Sequence, residues 1–294
     1  MKNKMAYLGP RGTFCEEAAL RYANEHYWEL VPYPSIKSVF AAVNRGEIDS
    51  GIVPIENSCE GAVNQTLDLL AYEYNLKVSG EVVMPVKQNL LIRPNLELKE
   101  ISRILSHPQA LAQCRKYLSA NFEDIEFMDV ASTAEAARRV ANSAEPWAAV
   151  GTEGAAQAYG LVIISPDIQD QLNNETRFII ISKDSSTCAS SDGSCLHAEN
   201  TKTSLLLYLL NTPGALFHAL EQFYLHDINL SKIESRPAQT RIGDYLFFID
   251  IEGHQLEPRV KEALEGLKTL AHDVRILGSY PSATGRANCL NEVI

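Results

Sequence analysis

The sequence lacks the features that would place the protein in a membrane or on nucleic acid. Nowhere do about 18 apolar residues run together, which is the least a transmembrane helix needs. The first residues, MKNKMAYLGPRG, lack the apolar core of an export signal. No long basic run interrupts a chain with a formal net charge of −11, whereas phosphates and anionic membranes select clustered lysine and arginine. We therefore expect a cytoplasmic protein with no nucleic-acid partner and no membrane partner.

Cysteine is also sparse, and its spacing does not suit metal binding or cross-linking. The six cysteines are scattered and none belongs to a CxxC pair, so we predict neither a structural zinc site nor a disulfide framework. Reduced thiols are the expected state. Cys188 and Cys195 fall in a polar segment and are interpreted as incidental rather than as a redox switch.

Short apolar runs alternate with helical patterns in the first part of the chain. The apolar side of the first helix is assigned to Ala18, Ala19, Leu20 and Tyr22, and Ser35 is expected to cap the second helix. This alternation predicts βαβ units and a mostly parallel sheet in an α/β fold. The predicted strands are 5–8, 28–33 and 50–55, and the predicted helices are 16–24, 35–45 and 63–72.

The pattern changes at 77–93, which is extended with no helix in between. We interpret it as strands that cross into a second lobe, from which the chain returns at 177–181. The lobes are predicted at about 1–76 with 164–182, and at 77–163, and the cleft between two such lobes is a usual place for a small ligand.

The last third has a different organisation. Residues 183–203 are rich in Ser, Asp, Asn and Thr and are predicted to be a linker. Residues 204–281 follow the order βαββαβ, which is the ferredoxin-like arrangement. The tail at 282–294 shows no periodicity.

Three motifs at strand boundaries could carry chemistry. In GPRGTF at 9–14, the glycines suit either an anion at a helix start or an ordinary turn. In PIENS at 54–58, Asn57 and Ser58 are either ligand contacts or helix caps, and Glu56 is either an acid–base group or a salt-bridged structural residue. In NETRF at 174–178, a hydroxyl stands beside a guanidinium that can hold a carboxylate, although such a pair also occurs in structural roles.

A histidine near a strand end is a fourth candidate. His107 in LSHPQ could act as an acid or base near neutral pH, or it could position the loop. No G-x-S-x-G elbow occurs in the sequence, which gives a hydrolase triad little support.

Taken together, these segments resemble the prephenate dehydratase family. The resemblance covers nearly the whole chain and rests on GPRGTF, PIENS with EGAVNQTLDLL, LSHPQALAQC, GTEGAAQAYGL and NETRF, in the family's order. The C-terminal part resembles an ACT domain, with NTPGALF at 211–217 and ESRP at 234–237.

The resemblance implies two periplasmic-binding-protein-like lobes that hold prephenate and convert it to phenylpyruvate without a cofactor or metal. It implies that Thr176 is the catalytic hydroxyl. It also implies that the substrate is held or lined by Arg177, Phe178, Thr13, Asn57 and Ser58. Cys15 departs from the Ser or Thr that the family often has there, and a thiol donates hydrogen bonds poorly.

The ACT resemblance implies feedback inhibition by L-phenylalanine, bound where two such domains pair, and therefore a homodimer or homotetramer. Without the family, Leu216 and Phe217 could equally be helix-core residues. The implied effector site consists of Asn211, Gly214, Ala215, Leu216, Phe217, Glu234 and Ser235.

Three other functions are compatible with parts of the sequence. A solute-binding protein shares the two-lobed architecture but is expected to have an export signal and no ACT domain. An arogenate dehydratase would use the same residues on the aminated substrate, and a silent amino-acid sensor is disfavoured by the intact NETRF. We expect a single activity, since no chorismate mutase segment is evident.

Overall fold

The computed structural model describes residues 3–23, 28–183, 200–238 and 244–283. These residues form two compact units, within Met1–Val39, Ile52–Gly61 and Met84–Phe178 for the first and Phe40–Gly51, Ala62–Val83 and Ile179–Ile294 for the second. Most of the predicted linker, with Cys188 and Cys195, lies outside the described residues. Most of the predicted tail does so as well.

The first sheet is built from the βαβ units that the sequence predicts. Its strands follow the order β2-β1-β3-β11-β5, with β1 parallel to β2. The first helix buries Cys15, Ala18 and Ala19, whereas Leu20 is 48% exposed, which corrects its predicted place on the apolar face. Up to the first crossing, the elements are β1 (Asn3–Leu8), α1 (Phe14–Ala23), β2 (Trp28–Tyr33), α2 (Ile36–Arg45), β3 (Ser50–Asn57), β4 (Gly61–Ala62), α3 (Asn64–Asp68), a π-helical turn (Leu69–Glu73) and β5 (Lys77–Pro85).

The second sheet begins after β5, which pairs in the first sheet although it was predicted to open the second lobe. The strand order is β10-β6-β9-β7-β8, and β7 is parallel to both of its neighbours while β6 is antiparallel to β9 and β10. One apolar cluster packs on each face. The elements are β6 (Asn89–Ile92), a 3-10 turn (Leu98–Glu100), β7 (Arg103–Ser106), α4 (Pro108–Gln113), α5 (Arg115–Asn121), β8 (Glu126–Asp129), α6 (Thr133–Asn142), β9 (Trp147–Gly151), α7 (Glu153–Tyr159) and β10 (Val162–Ser165).

The chain returns to the first sheet through β11 (Glu175–Ser182), in the place where the return strand was predicted. Six consecutive residues of this strand, from Arg177 to Ser182, are buried. This is the pattern of a strand that is covered on both faces.

The C-terminal part has the predicted βαββαβ order, and its sheet is antiparallel with the order β13-β14-β12-β15. One apolar cluster joins both helices to the sheet. The fold class, α/β with a ferredoxin-like C-terminal part, is therefore confirmed. The elements are β12 (Thr201–Leu209), α8 (Ala215–Leu225), β13 (Leu230–Pro237), β14 (Tyr245–Glu252), α9 (Pro258–Leu270) and β15 (Asp273–Pro281).

Within the second unit, this C-terminal part packs against the segment from α3 to β5. The Arg236 guanidinium donates to both carboxylate oxygens of Asp68, and Lys202 forms an ion pair of 3.0 Å with the fully buried Glu81. A Cβ added at Gly278 would lie 2.0 Å from the backbone oxygen of Val78. The backbones therefore approach so closely at this point that only glycine fits.

Candidate active site

A cavity of about 310 Å³ lies in the first unit, between strand ends and the first turns of helices. Of the residues predicted for the substrate, Thr13, Asn57, Thr176 and Phe178 line this cavity, whereas Ser58 and Arg177 do not. The other lining residues are Leu8, Phe14, Cys15, Pro54, Val86, Gln88, His107, Gln109, Ala110, Gln113, Ala131, Ser132 and Thr133.

Thr176 presents a hydroxyl whose orientation is set by a neighbouring amide. The Asn57 Nδ2 donates to Thr176 Oγ1 at 2.9 Å and to Asn174 Oδ1 at 2.8 Å. No described residue accepts the hydroxyl proton of Thr176. Since the oxygen is already occupied as an acceptor, the proton is available to a ligand in the cavity.

The loop that carries Asn57 is tightly fixed. The Asn57 Oδ1 accepts from the backbone N–H groups of Cys59 and Glu60 at 2.9 and 3.0 Å. The Ser58 hydroxyl accepts from Glu175 N–H at 2.9 Å. Neither side chain caps α3, so the capping interpretation is wrong, and Ser58 joins β3 to β11 instead of lining the cavity as predicted.

Arg177 is placed on the opposite side of β11 from the cavity. Side chains alternate along a strand, so Thr176 and Phe178 share one face and Arg177 takes the other. Arg177 is 6% exposed, and its Nε lies 2.5 Å from Glu56 Oε1. The structure therefore places Arg177 away from the cavity in which it was expected to hold a carboxylate, and it supports the salt-bridged alternative for Glu56.

Thr13 lines the cavity, but its hydroxyl is used within the protein. Its Oγ1 donates to Leu8 O at 2.9 Å and accepts from Glu16 N–H at 3.3 Å, which caps the first turn of α1. Cys15 lines the cavity two residues further on, and burial raises the pKa of its thiol to about 12. The neutral thiol is a small apolar wall of the cavity at neutral pH.

Two further helices begin at the cavity wall. Ser132 caps α6 by accepting from Glu135 N–H at 3.0 Å. The His107 Nδ1 accepts from Gln109 N–H at 3.3 Å at the start of α4, which agrees with the positioning role considered for this histidine. The positive ends of the helix dipoles of α1 and α6 therefore meet the cavity, which favours anions.

Several lining residues were not predicted. Gln109 and Gln113 lie within the LSHPQALAQC motif, so their four-residue spacing on a helix could have indicated a shared face. Both also line a second cavity of about 270 Å³, together with the exposed Cys59. Ser132 precedes a helical pattern at 133–141, so it could have been identified as a helix cap. Gln88 lies between two strands and carries no motif.

The residues predicted for phenylalanine sensing occupy two parts of the C-terminal domain. Gly214 has a φ of 81° at the start of α8, a left-handed conformation that a side chain would strain. Ala215 and Leu216 pack partly against the core, whereas Phe217 is 65% exposed and contacts the His218 ring edge-on. Asn211 is exposed in the turn before α8, and Glu234 and Ser235 lie on the edge strand β13.

Two negative findings apply to the described residues alone. No group of three or more His, Cys, Asp or Glu side chains there could hold a metal ion. None of the helices in that part of the chain is long and apolar enough to cross a membrane.

Comparisons with known proteins identify the family of the chain. The family model described as Prephenate dehydratase matches residues 5–186, and the model described as ACT domain matches 203–269. The chain is 42% identical over 284 residues to a bifunctional chorismate mutase/prephenate dehydratase of Aquifex aeolicus, covering 96% of this chain and 74% of that relative. It is 42% identical over 281 residues to a prephenate dehydratase of Lactococcus lactis subsp. cremoris, covering 94% of this chain and 97% of that relative.

A solved structure gives the same answer over nearly the whole length. The prephenate dehydratase of Arthrobacter aurescens in complex with L-Phe has a TM-score of 0.84 and 35% identity, covering 96% of this chain and 91% of that one. The chain therefore belongs to the prephenate dehydratase family and carries an ACT domain at its C-terminal side.

Proposed function

We propose that the protein converts prephenate to phenylpyruvate in the cavity of the first unit. The observation that carries the proposal is the Thr176 hydroxyl, which is fixed by the Asn57 amide and keeps its proton available at the cavity wall. Phe178, which is 1% exposed, supplies an apolar surface beside it.

The reaction needs little beyond geometry and a donor. In prephenate, the bond to the ring carboxylate breaks, and its electron pair enters the ring as carbon dioxide leaves. The same electron shift breaks the bond to the ring hydroxyl, which leaves as hydroxide and takes a proton from the solvent to become water. Aromatisation drives both steps, so a preorganised hydrogen bond from Thr176 to the departing oxygen is an effective contribution.

The negative charges of the substrate require donors other than Arg177. No lysine or arginine is among the lining residues of the described cavity. The starts of α1 and α6 offer backbone N–H groups and positive dipole ends, and the amides of Gln109 and Gln113 offer neutral donors. Arg177 is assigned a positioning role, because its pair with Glu56 joins β11 to β3 behind the cavity.

Replacing Thr176 tests the proposal directly. We expect Thr176→Ala to lower kcat by about 10²–10³-fold with a small change in KM, as for the loss of one transition-state donor. The measurement is the ultraviolet absorbance of phenylpyruvate formed from purified protein and prephenate. Thr176→Ser, which keeps the hydroxyl, is the matched control and should retain most of kcat. Near-normal kcat in Thr176→Ala would remove this residue from the mechanism.

The same cavity could act on arogenate, the aminated form of the substrate. Comparing kcat/KM for prephenate and arogenate separates the two dehydratases. Failure to turn over either compound would leave a ligand-binding protein without catalysis and would contradict the proposed function.

We further propose that L-phenylalanine regulates the enzyme through paired ACT domains, which implies a homodimer or homotetramer. The proposal is supported by the left-handed Gly214, the exposed Phe217 and the edge strand β13, which leaves Ser235 exposed. The proposed effector site consists of Asn211, Gly214, Ala215, Leu216, Phe217, Glu234 and Ser235. The domain limits proposed from the sequence are 1–182 for catalysis and 204–281 for regulation. These limits and the cytoplasmic location stay predictions.

Titration calorimetry tests the regulatory half. We expect L-phenylalanine to bind the wild-type protein and to inhibit prephenate turnover, because the family resemblance and the ACT match point to one effector. Gly214→Ala forces a side chain into the left-handed conformation and towards His218, so it should weaken binding. The absence of a heat signal with the wild type would contradict regulation without affecting the catalytic proposal.

A further inference from the structure

The cavity contains a buried polar atom that has no partner in the protein. Gln88 lies between β5 and β6, is 2% exposed and lines the cavity with Thr176. Its side-chain Oε1 is buried, and no described residue donates to it. Buried acceptors without a donor destabilise a folded protein, so the partner of this oxygen is expected to come from outside the chain.

The backbone of Gln88 is held firmly in this position. Its N–H donates to Gln169 Oε1 at 2.9 Å, and its carbonyl accepts from Ile168 N–H at 2.8 Å. The peptide groups are therefore satisfied within the protein, while the side-chain oxygen is not. A fixed backbone with a free carboxamide at a cavity wall is suited to ligand recognition.

The chemistry of the substrate identifies the partner, and this step rests on the proposed function. Prephenate offers two carboxylates and a ketone, which only accept hydrogen bonds, and one ring hydroxyl, which also donates. We propose that Gln88 is a substrate-binding residue whose Oε1 accepts a hydrogen bond from the ring hydroxyl of prephenate. Thr176 donates to the same hydroxyl oxygen, so the departing group is bound by two hydrogen bonds of opposite direction.

This arrangement gives Gln88 two tasks. Accepting the hydroxyl proton turns a lone pair of that oxygen towards Thr176, which aligns the donor before the C–O bond breaks. It also makes the cavity select ligands that carry a hydroxyl on the ring. The product phenylpyruvate has lost this hydroxyl and cannot satisfy Gln88, which favours its release.

Two aromatic keto acids that differ by one hydroxyl test the proposal. The dissociation constants of 4-hydroxyphenylpyruvate and phenylpyruvate are measured by calorimetry on the wild type and on Gln88→Met, which keeps the length of the side chain without its polar atoms. We expect the variant to bind 4-hydroxyphenylpyruvate about three- to tenfold more weakly, the range for one neutral hydrogen bond. Its affinity for phenylpyruvate should change less than about twofold, and its KM for prephenate should rise.

Stability separates a binding role from a structural one. Because Gln88→Met removes an unpaired acceptor, its thermal midpoint should equal or exceed that of the wild type. Gln157→Met, on the exposed side of α7, is the control for a glutamine outside the cavity. Gln88→Glu keeps the acceptor oxygen, so it should retain the preference for the hydroxylated ligand. Its negative charge should weaken the binding of both anionic keto acids. Gln88→Glu replaces Gln88→Met in the binding measurements if the methionine variant does not fold.

Equal weakening of both ligands, or no weakening of either, would overturn the assignment of Gln88. A lower thermal midpoint together with equal weakening would show that the amide is structural. Turnover of prephenate by the wild type is measured in a separate assay. If it is absent, the proposed function fails, and the comparison of the two keto acids still decides whether Gln88 recognises a ring hydroxyl.

Discussion

The contact between Asn57 and Thr176 shows how one side chain determines what its neighbour can do. Asn57 uses its oxygen to hold the loop and its Nδ2 to supply a hydrogen bond to Thr176 Oγ1. The threonine then keeps its proton to donate towards the cavity. A hydroxyl with a free pKa far above neutrality contributes in this way through electrostatics and not as a strong acid.

Asn57→Asp removes the Nδ2 donor of Asn57 and keeps the acceptor oxygen. The carboxylate can still accept from the N–H groups of Cys59 and Glu60, but it would also accept the Thr176 proton and direct it away from the cavity. We expect kcat to fall about as far as in Thr176→Ala, roughly 10²-fold or more, with a raised KM from the added negative charge. The double variant should be little worse than the poorer single one, since both remove the same interaction. Fully additive losses in kcat would contradict this linkage.

The sequence predicts the strand that carries Thr176, but the structure places Arg177 of the same motif away from the cavity. NETRF identifies the segment and Thr176 lines the cavity, yet the alternation of a strand already implies that Arg177 faces the opposite side. The family resemblance transferred all three residues as one unit. A two-residue period applied within the motif would have separated them, whereas Gln88 carries no pattern that the sequence alone could reveal.

At the scale of elements, strong periodicity predicts the helices correctly, whereas weak periodicity does not reveal them. Helix α9 is predictable from the sequence, because a proline starts it and apolar residues recur along one face. Helix α7 was not predicted, since EGAAQAY offers small residues with little contrast between faces. Strand β10 is four residues long and antiparallel to β6, so it does not belong to the pattern of parallel βαβ units.

Helix α6 gives a pH-dependent prediction. Hydrogen bonds from Arg138 and Arg139 lower the pKa of Glu135 from 4.5 to about 2. A carboxylate with a depressed pKa stabilises the fold above its unfolded pKa, and this contribution is lost as the pH falls from about 4.5 towards 2. We expect the difference in unfolding free energy between wild type and Glu135→Gln to be largest near neutral pH and to vanish by about pH 2.

Urea unfolding followed by circular dichroism at several pH values measures this difference. The arginines are about half exposed, so added salt should reduce it as well. A difference that stays constant between pH 6 and pH 2.5 would show that the ion pairs do not carry it.

At the scale of the whole molecule, one arginine connects the proposed effector strand with helix α3 inside the second unit. Arg236 follows Ser235 on β13 and binds Asp68 and Asn64 of α3. The chain runs from α3 back to Asn57 through a few residues. We expect a shift of β13 on binding an effector to move α3 and, along the chain that joins α3 to Asn57, the loop that contacts Thr176.

Arg236→Met should separate binding from inhibition. We expect L-phenylalanine to bind with little change in affinity while its inhibition of prephenate turnover weakens. The reason is that the substitution removes the contact proposed to carry the coupling between the sites, which is typically about 1–3 kcal/mol. Calorimetry and the phenylpyruvate assay are run on the same preparation. Arg259→Met, which removes an exposed arginine of the same domain, is the control. Undiminished inhibition in Arg236→Met would assign the coupling to another contact.

Gly278 has a consequence for anyone who wishes to exchange the sensor. The backbone of β15 touches the carbonyl of Val78 so closely that a methyl group cannot be inserted. A chimaera that grafts a sensor of different amino-acid specificity onto this enzyme must therefore keep a residue without a side chain at this place, whatever else is redesigned. A graft that carries alanine there would be held away from β5, and the enzyme would lose its inhibition by the effector.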